Sequence, residues 1–151
     1  MEGSSITASA VITFAENLEE QTSKFYEQLA KKYPNQAFVS YTAESRKNGV
    51  FLVRTYRETI TDALEACFSF EGIALPSIDI KEIKQDTTCE EDIKSAIKLE
   101  EASASFYREI LKCSESLMST IARSFEKVAK NREKRKQELE SILKNFNAST
   151  S

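Results

Sequence analysis

The stretch KLEEASASFYREIL, Lys98–Leu111, echoes NLEEQTSKFYEQLA, Asn17–Ala30, so the pattern LEE-x4-FY is written twice in one chain. On a helix the residues of each copy sort onto different faces. Ile12, Glu19 and Tyr26 are spaced by seven, as are Ile93, Glu100 and Tyr107, and both sets flank an apolar stripe. Glu20 instead aligns with Thr13 and Glu27, and Glu101 with Lys94 and Arg108, which marks a solvated face. Glu19 and Glu100 are therefore expected to point inward. Two inward carboxylates need a counter-charge, a metal or a proton.

The pattern extends outward into four helices. The first is expected over about 5–32, with Val11, Phe14, Leu18, Phe25 and Leu29 on one stripe and a stop at Pro34. The second is expected over about 35–70, ending near Gly72. The third, over about 90–113, follows the acidic DTTCEED stretch, which suits a helix N-terminus. The fourth, over about 116–146, is followed by a polar tail, NASTS, expected to fray. Two links are short and imply antiparallel pairs. The third, at 71–89, is too long for a hairpin. A return along the bundle spans roughly 45–50 Å, within reach of about 20 extended residues. The expected architecture is all-α: one domain over 1–151, a four-helix bundle of two antiparallel hairpins joined by a long crossover.

The other two helices carry seams stepping by fours and threes. Ile121, Phe125, Val128, Arg132, Arg135, Leu139, Ile142 and Phe146 form one, with two arginines in its middle. Phe38, Tyr41, Ser45, Asn48, Leu52 and Thr55 form the other, with Ser45 and Asn48 in its middle. Glu19 lies about as far before Pro34 as Asn48 lies after it, and Glu100 and the arginines are similarly placed about the last turn. All four helices are thus expected to bring polar residues to one level. A plainer alternative has both guanidiniums snorkelling outward from the seam edge.

Composition removes several function classes. A net charge of −3 supplies no basic excess for nucleic acid. No apolar run is long enough to span a bilayer, and the N-terminus lacks the pattern of a signal peptide. Histidine is absent, and Cys67, Cys89 and Cys113 lie far apart, which excludes a Cys/His zinc site and suggests reduced thiols in the cytoplasm. Without histidine or a Gly-rich phosphate loop, catalysis has little support. The lysines of KVAKNREKRK, Lys127–Lys136, read as a solvated face, and the FY pairs as core.

AIKLEEASASFY (Ala96–Tyr107), its echo NLEEQTSKFY and the run FEKVAKNREKRKQELESIL (Phe125–Leu143) resemble the rubrerythrin-like branch of the ferritin-like superfamily. In that family a glutamate from helices one and three and a Glu-x-x-His from helices two and four hold two irons. Glu19 and Glu100 match the single glutamates. Ser45-x-x-Asn48 and Arg132-x-x-Arg135 stand where the two Glu-x-x-His motifs would be. A guanidinium has no lone pair to give a metal and can fork onto a carboxylate. The resemblance thus implies a degenerate di-iron layer of Glu19, Ser45, Asn48, Glu100, Arg132 and Arg135, without cofactor. It also implies a non-catalytic interaction or structural protein, with a homodimer or another protein as partner and neither nucleic acid nor membrane. The alternative is an oxidoreductase whose Glu19, Glu44 and Glu100 hold iron or manganese.

Overall fold

A computed structural model describes residues 6–59, 69–70, 74–112 and 119–150. Helix α1 is Ala8–Lys32, α2 Gln36–Thr59, α3 Cys89–Lys112 and α4 Ser119–Thr150. The architecture is an all-α four-helix bundle in which α1 packs on α2 and α3 on α4.

The helix ends follow local chemistry. Thr7 is extended, and its hydroxyl accepts from the Ala10 amide at 3.1 Å, so α1 starts at Ala8 rather than at Ser5. The helix stops where Tyr33, driven extended before Pro34, takes φ −128° and ψ 116°. Asn35 then caps α2, its side-chain oxygen accepting from Ala37 N at 2.9 Å. Thr88 and Glu91 form a reciprocal capping box: Thr88 Oγ1 accepts from Glu91 N at 3.1 Å, and Glu91 accepts from Thr88 N at 3.0 Å. That box opens α3 at Cys89, inside the acidic stretch.

Two expected boundaries need correction. The second helix does not run to Phe70, because Ser69 and Phe70 are extended and pair antiparallel with Thr7 and Ile6. The fourth helix does not fray after Phe146 but continues to Thr150, with no Gly or Pro to break it. Residues 60–68 and 71–73, including Cys67 and the start of the crossover, lie outside the described residues. So do Cys113 and the expected start of the fourth helix at 116–118.

Cross-helix contacts give the directions. Early residues of α1 meet late residues of α3 (Phe14 with Phe106), and late ones meet early ones (Lys32 with Asp92). The pairs Arg46–Glu27 and Asn48–Glu19 run α1 against α2 in the same opposed sense. Both α2 and α3 therefore oppose α1 and run parallel to each other, as a traversing link requires. The described part of that link, 74–88, is irregular, with a turn and bend at 85–87. Leu75, Ile78, Ile80 and Ile83 pack on the core, while Ser77, Asp79 and Lys81 face out.

Lys32 fastens the far end of the link. Its ammonium donates to Lys84 O, to Thr87 O at 2.8 Å and to Asp92 Oδ2 at 2.7 Å. Burial would raise the Asp92 carboxyl, but hydrogen bonds from Lys32, Tyr33 and Thr87 hold it below the usual range. Among the described residues no helix is long and apolar enough to cross a membrane.

Candidate functional site

Mid-bundle, four ionisable side chains are withdrawn from water: Glu19, Glu100 and Arg132 at 0% exposure and Arg135 at 1%. Arg132 is the hub. Its Nη1 donates to both oxygens of Glu100 at 2.9 Å, and its Nε stands 3.4 Å from Glu19 Oε2. The second contact is a close ion pair without an aligned hydrogen bond, since Nε has no hydrogen-bond acceptor. Neither arginine snorkels.

The hydroxyls of the two LEE-x4-FY copies meet this hub symmetrically, although the glutamates do not. Arg132 Nη2 donates to Thr22 Oγ1 and Ser103 Oγ, both at 2.8 Å. These residues sit at the same place in the two copies, three after the inward glutamate. Each hydroxyl spends its own proton on the carbonyl four residues back, Leu18 or Leu99, at 2.7 Å. That leaves each oxygen free to accept from the guanidinium. The tyrosines then cross over: Tyr107 donates to Glu19 Oε2 at 2.7 Å, and Tyr26 donates to Glu100 Oε2. Each copy's tyrosine serves the other copy's glutamate.

Arg135 occupies the α2 side of the same layer. Its Nη1 donates to Ser45 Oγ at 2.9 Å and lies 3.4 Å from Glu100 Oε2. Its Nη2 reaches Asn131 Oδ1 at 2.9 Å and Glu44 Oε1 at 3.2 Å. The guanidinium also lies over the faces of Tyr26 and Tyr41, 5.5 and 5.1 Å from the ring centroids. Asn48 donates to Asn131 Oδ1 at 3.0 Å and lies 3.5 Å from Glu19 Oε1. All six layer residues named from the sequence are thus brought together.

The layer's formal charge is balanced within the bundle, two carboxyl groups against two guanidiniums. Burial alone would lower the Arg132 guanidinium, but Glu100 and Glu19 outweigh it and hold it above its ordinary value. Burial pushes the Tyr26 hydroxyl well up, and the charge of Glu100 adds to it; Tyr107 is raised the same way by burial and Glu19. Both tyrosines stay protonated donors.

The donor set does not fit a dinuclear iron centre. Arg132 stands between Glu19 and Glu100, and Arg135 between Glu100 and Glu44, so cationic N–H groups fill the positions between the carboxylates. Glu44 is 44% exposed and turned to Arg135, away from the grouping that a Glu19, Glu44 and Glu100 site would need. Among the described residues, no three His, Cys, Asp or Glu side chains are placed to hold a metal ion.

Sequence reasoning left out Thr22, Ser103 and Asn131, and assigned Tyr26 and Tyr107 to the core. The signal for four of them was present. Thr22 and Ser103 hold equivalent positions, and each tyrosine shares its glutamate's face. Asn131 had no such signal, because it lies off the seam. Glu20 and Glu101 are exposed and pair with Lys24 and Lys136, on the solvated face expected of them. Compared with family models, curated proteins and solved structures, the chain finds no significant match in any of the three.

Proposed function

We propose that this chain is a non-catalytic ferritin-like bundle of the rubrerythrin-like kind. In it a Glu/Arg layer takes the place of a di-iron site, and the protein serves an interaction or structural role in the cytoplasm. The observation that carries this reading is Arg132, buried, with Nη1 on both oxygens of Glu100 and Nε 3.4 Å from Glu19. A guanidinium there supplies the positive charge that a metal would otherwise bring, and it occupies the space between the carboxylates.

The layer also lacks the means of acid–base turnover. Its carboxylates accept from arginine and tyrosine, its tyrosines are held protonated, and no histidine exists to exchange a proton near neutral pH. What such a layer does well is fix register. Arg132 reaches residues on α1 and α3, and Arg135 residues on α2 and α3, so sliding one helix strands a buried charge.

The test is elemental analysis of protein purified after growth in iron- and manganese-supplemented medium. The expected result is metal far below one equivalent per chain after gel filtration. Stoichiometric iron or manganese surviving that step overturns the reading.

A further inference from the structure

We propose that the outer face of α2, from Val39 to Arg57, docks an acidic helix of a partner protein. This rests on the interaction role proposed above and names the surface that would carry it.

Among the described residues, the large hydrophobic side chains left exposed are Val39 at 50% and Val50 at 64%, and both lie on α2. They are eleven residues apart, which at 3.6 residues per turn returns them to within about 20° of one line. Arg46 and Arg57 fall on that same line. The stretch Arg46–Arg57 carries Arg46, Lys47, Arg54 and Arg57 and no acidic residue, in a chain whose net charge is −3.

Beside this line the surface is concave. A groove of about 440 Å³ is lined by Arg46, Lys47, Val50, Phe51, Arg54 and Lys127 together with Asn48, with no carboxylate in its wall. Phe51 gives it an apolar side, with the Lys127 ammonium 4.6 Å from its ring centroid. Lys47 and Lys127 form no ion pair among the described residues. Arg46 and Arg54 make only exposed pairs with Glu27 and Glu58, at 3.1 and 3.8 Å, which exchange at little cost.

The occupant follows from shape and charge together. Two apolar anchors three turns apart, roughly 16 Å by helical rise, match the period at which a second helix presents its own side chains. Cations on and beside that line call for carboxylates next to those anchors. A bilayer is a poor fit, since two isolated valines bury too little area and a net-negative chain is repelled by anionic lipid. A nucleic-acid duplex would need a broader basic field than one helix face with Glu44 and Glu58 at its edges.

The test uses the full chain and a synthetic helical probe with two leucines eleven residues apart, each flanked one turn away by glutamates. The control peptide carries lysine for every glutamate. The acidic probe should bind, and more weakly as salt rises. Charge reversal at exposed positions (K47E, R54E and K127E together) should lower its affinity at least about tenfold and transfer binding to the lysine probe. V50D should weaken the acidic probe without altering the circular dichroism spectrum. Equal binding of the two probes, or indifference to the reversal, overturns the proposal. A wild-type dimer that the reversal dissociates assigns the face to a second copy and also overturns it. Capture on phosphatidylserine vesicles, lost in the reversed chain, overturns it in favour of lipid. Metal content separates the two readings: metal-free protein that ignores the acidic probe sinks the groove alone, and metal-loaded protein that binds it sinks only the non-catalytic role.

Discussion

Helices α1 and α3 are near-copies around the layer, whereas α2 and α4 have diverged from each other. The first pair contributes matched sets: Glu19, Thr22 and Tyr26 against Glu100, Ser103 and Tyr107. The second pair is one-sided. From α4 come both guanidiniums, and from α2 come the uncharged Ser45 and Asn48, with the half-exposed Glu44 at the layer's edge. Long cations from one helix need short neighbours on the facing one. The difference teaches that the acid side of the layer is set by a repeat, while the base side is set by a single helix.

The largest expected effect attacks that single-helix dependence. Arg132→Met should cost about 3–5 kcal/mol in urea denaturation, because it leaves Glu19 buried without its paired cation and Glu100 with only Arg135, 3.4 Å away. Changing Glu19 and Glu100 to Gln and both arginines to Met together should recover much of the loss, since a neutral layer strands nothing. A cost for Arg132→Met near that of a surface pair, at most about 1 kcal/mol, would break the comparison.

A smaller effect tests the symmetry of the repeat. Thr22→Val and Ser103→Ala each remove one acceptor from Arg132 Nη2, and each should cost about 1–2 kcal/mol. The two values should agree within about half a kcal/mol if the two hydroxyl contacts, both at 2.8 Å, are energetically as even as they are geometrically. A gap of several-fold would show that one copy dominates.

The smallest effect near neutral pH grows in alkali. Tyr26 and Tyr107 are raised by burial and by their glutamates, so the folded state holds these protons more tightly than the unfolded chain. Their contribution is complete below the unfolded tyrosine value of about 10 and is lost as pH rises beyond it. Urea midpoints measured across that range should fall in the wild type, and fall less steeply in Tyr26→Phe and Tyr107→Phe. Parallel curves would mean that the tyrosines do not hold their protons through the fold.

Much of the layer was legible because its residues sit on the seams or flanks that periodicity reveals. Glu19, Ser45, Asn48, Glu100, Arg132 and Arg135 all interrupt or border apolar stripes, and a polar residue on a stripe is conspicuous. The tyrosines hid in plain view, because an aromatic residue on a buried face explains itself as core. Asn131 was invisible, since a half-buried side chain off the seam looks like surface. The helix ends were readable where a cap or a proline acted locally. Ser69 and Phe70 were not, because their conformation comes with backbone pairing to a segment far away in sequence.

The sequence by itself determined the four helical runs, the parallel course of α2 and α3, and the level at which charge is buried, because these depend on spacing along one chain. Only the tertiary structure decided who pairs with whom. Arg132 takes both oxygens of Glu100 through Nη1 and Glu19 by a looser contact, Arg135 turns to Ser45 and Glu44, and each tyrosine crosses to the other copy. Periodicity gives a side chain its direction from the helix axis. Partner choice depends on the rotation and offset between helices, and those are fixed by packing across the whole bundle.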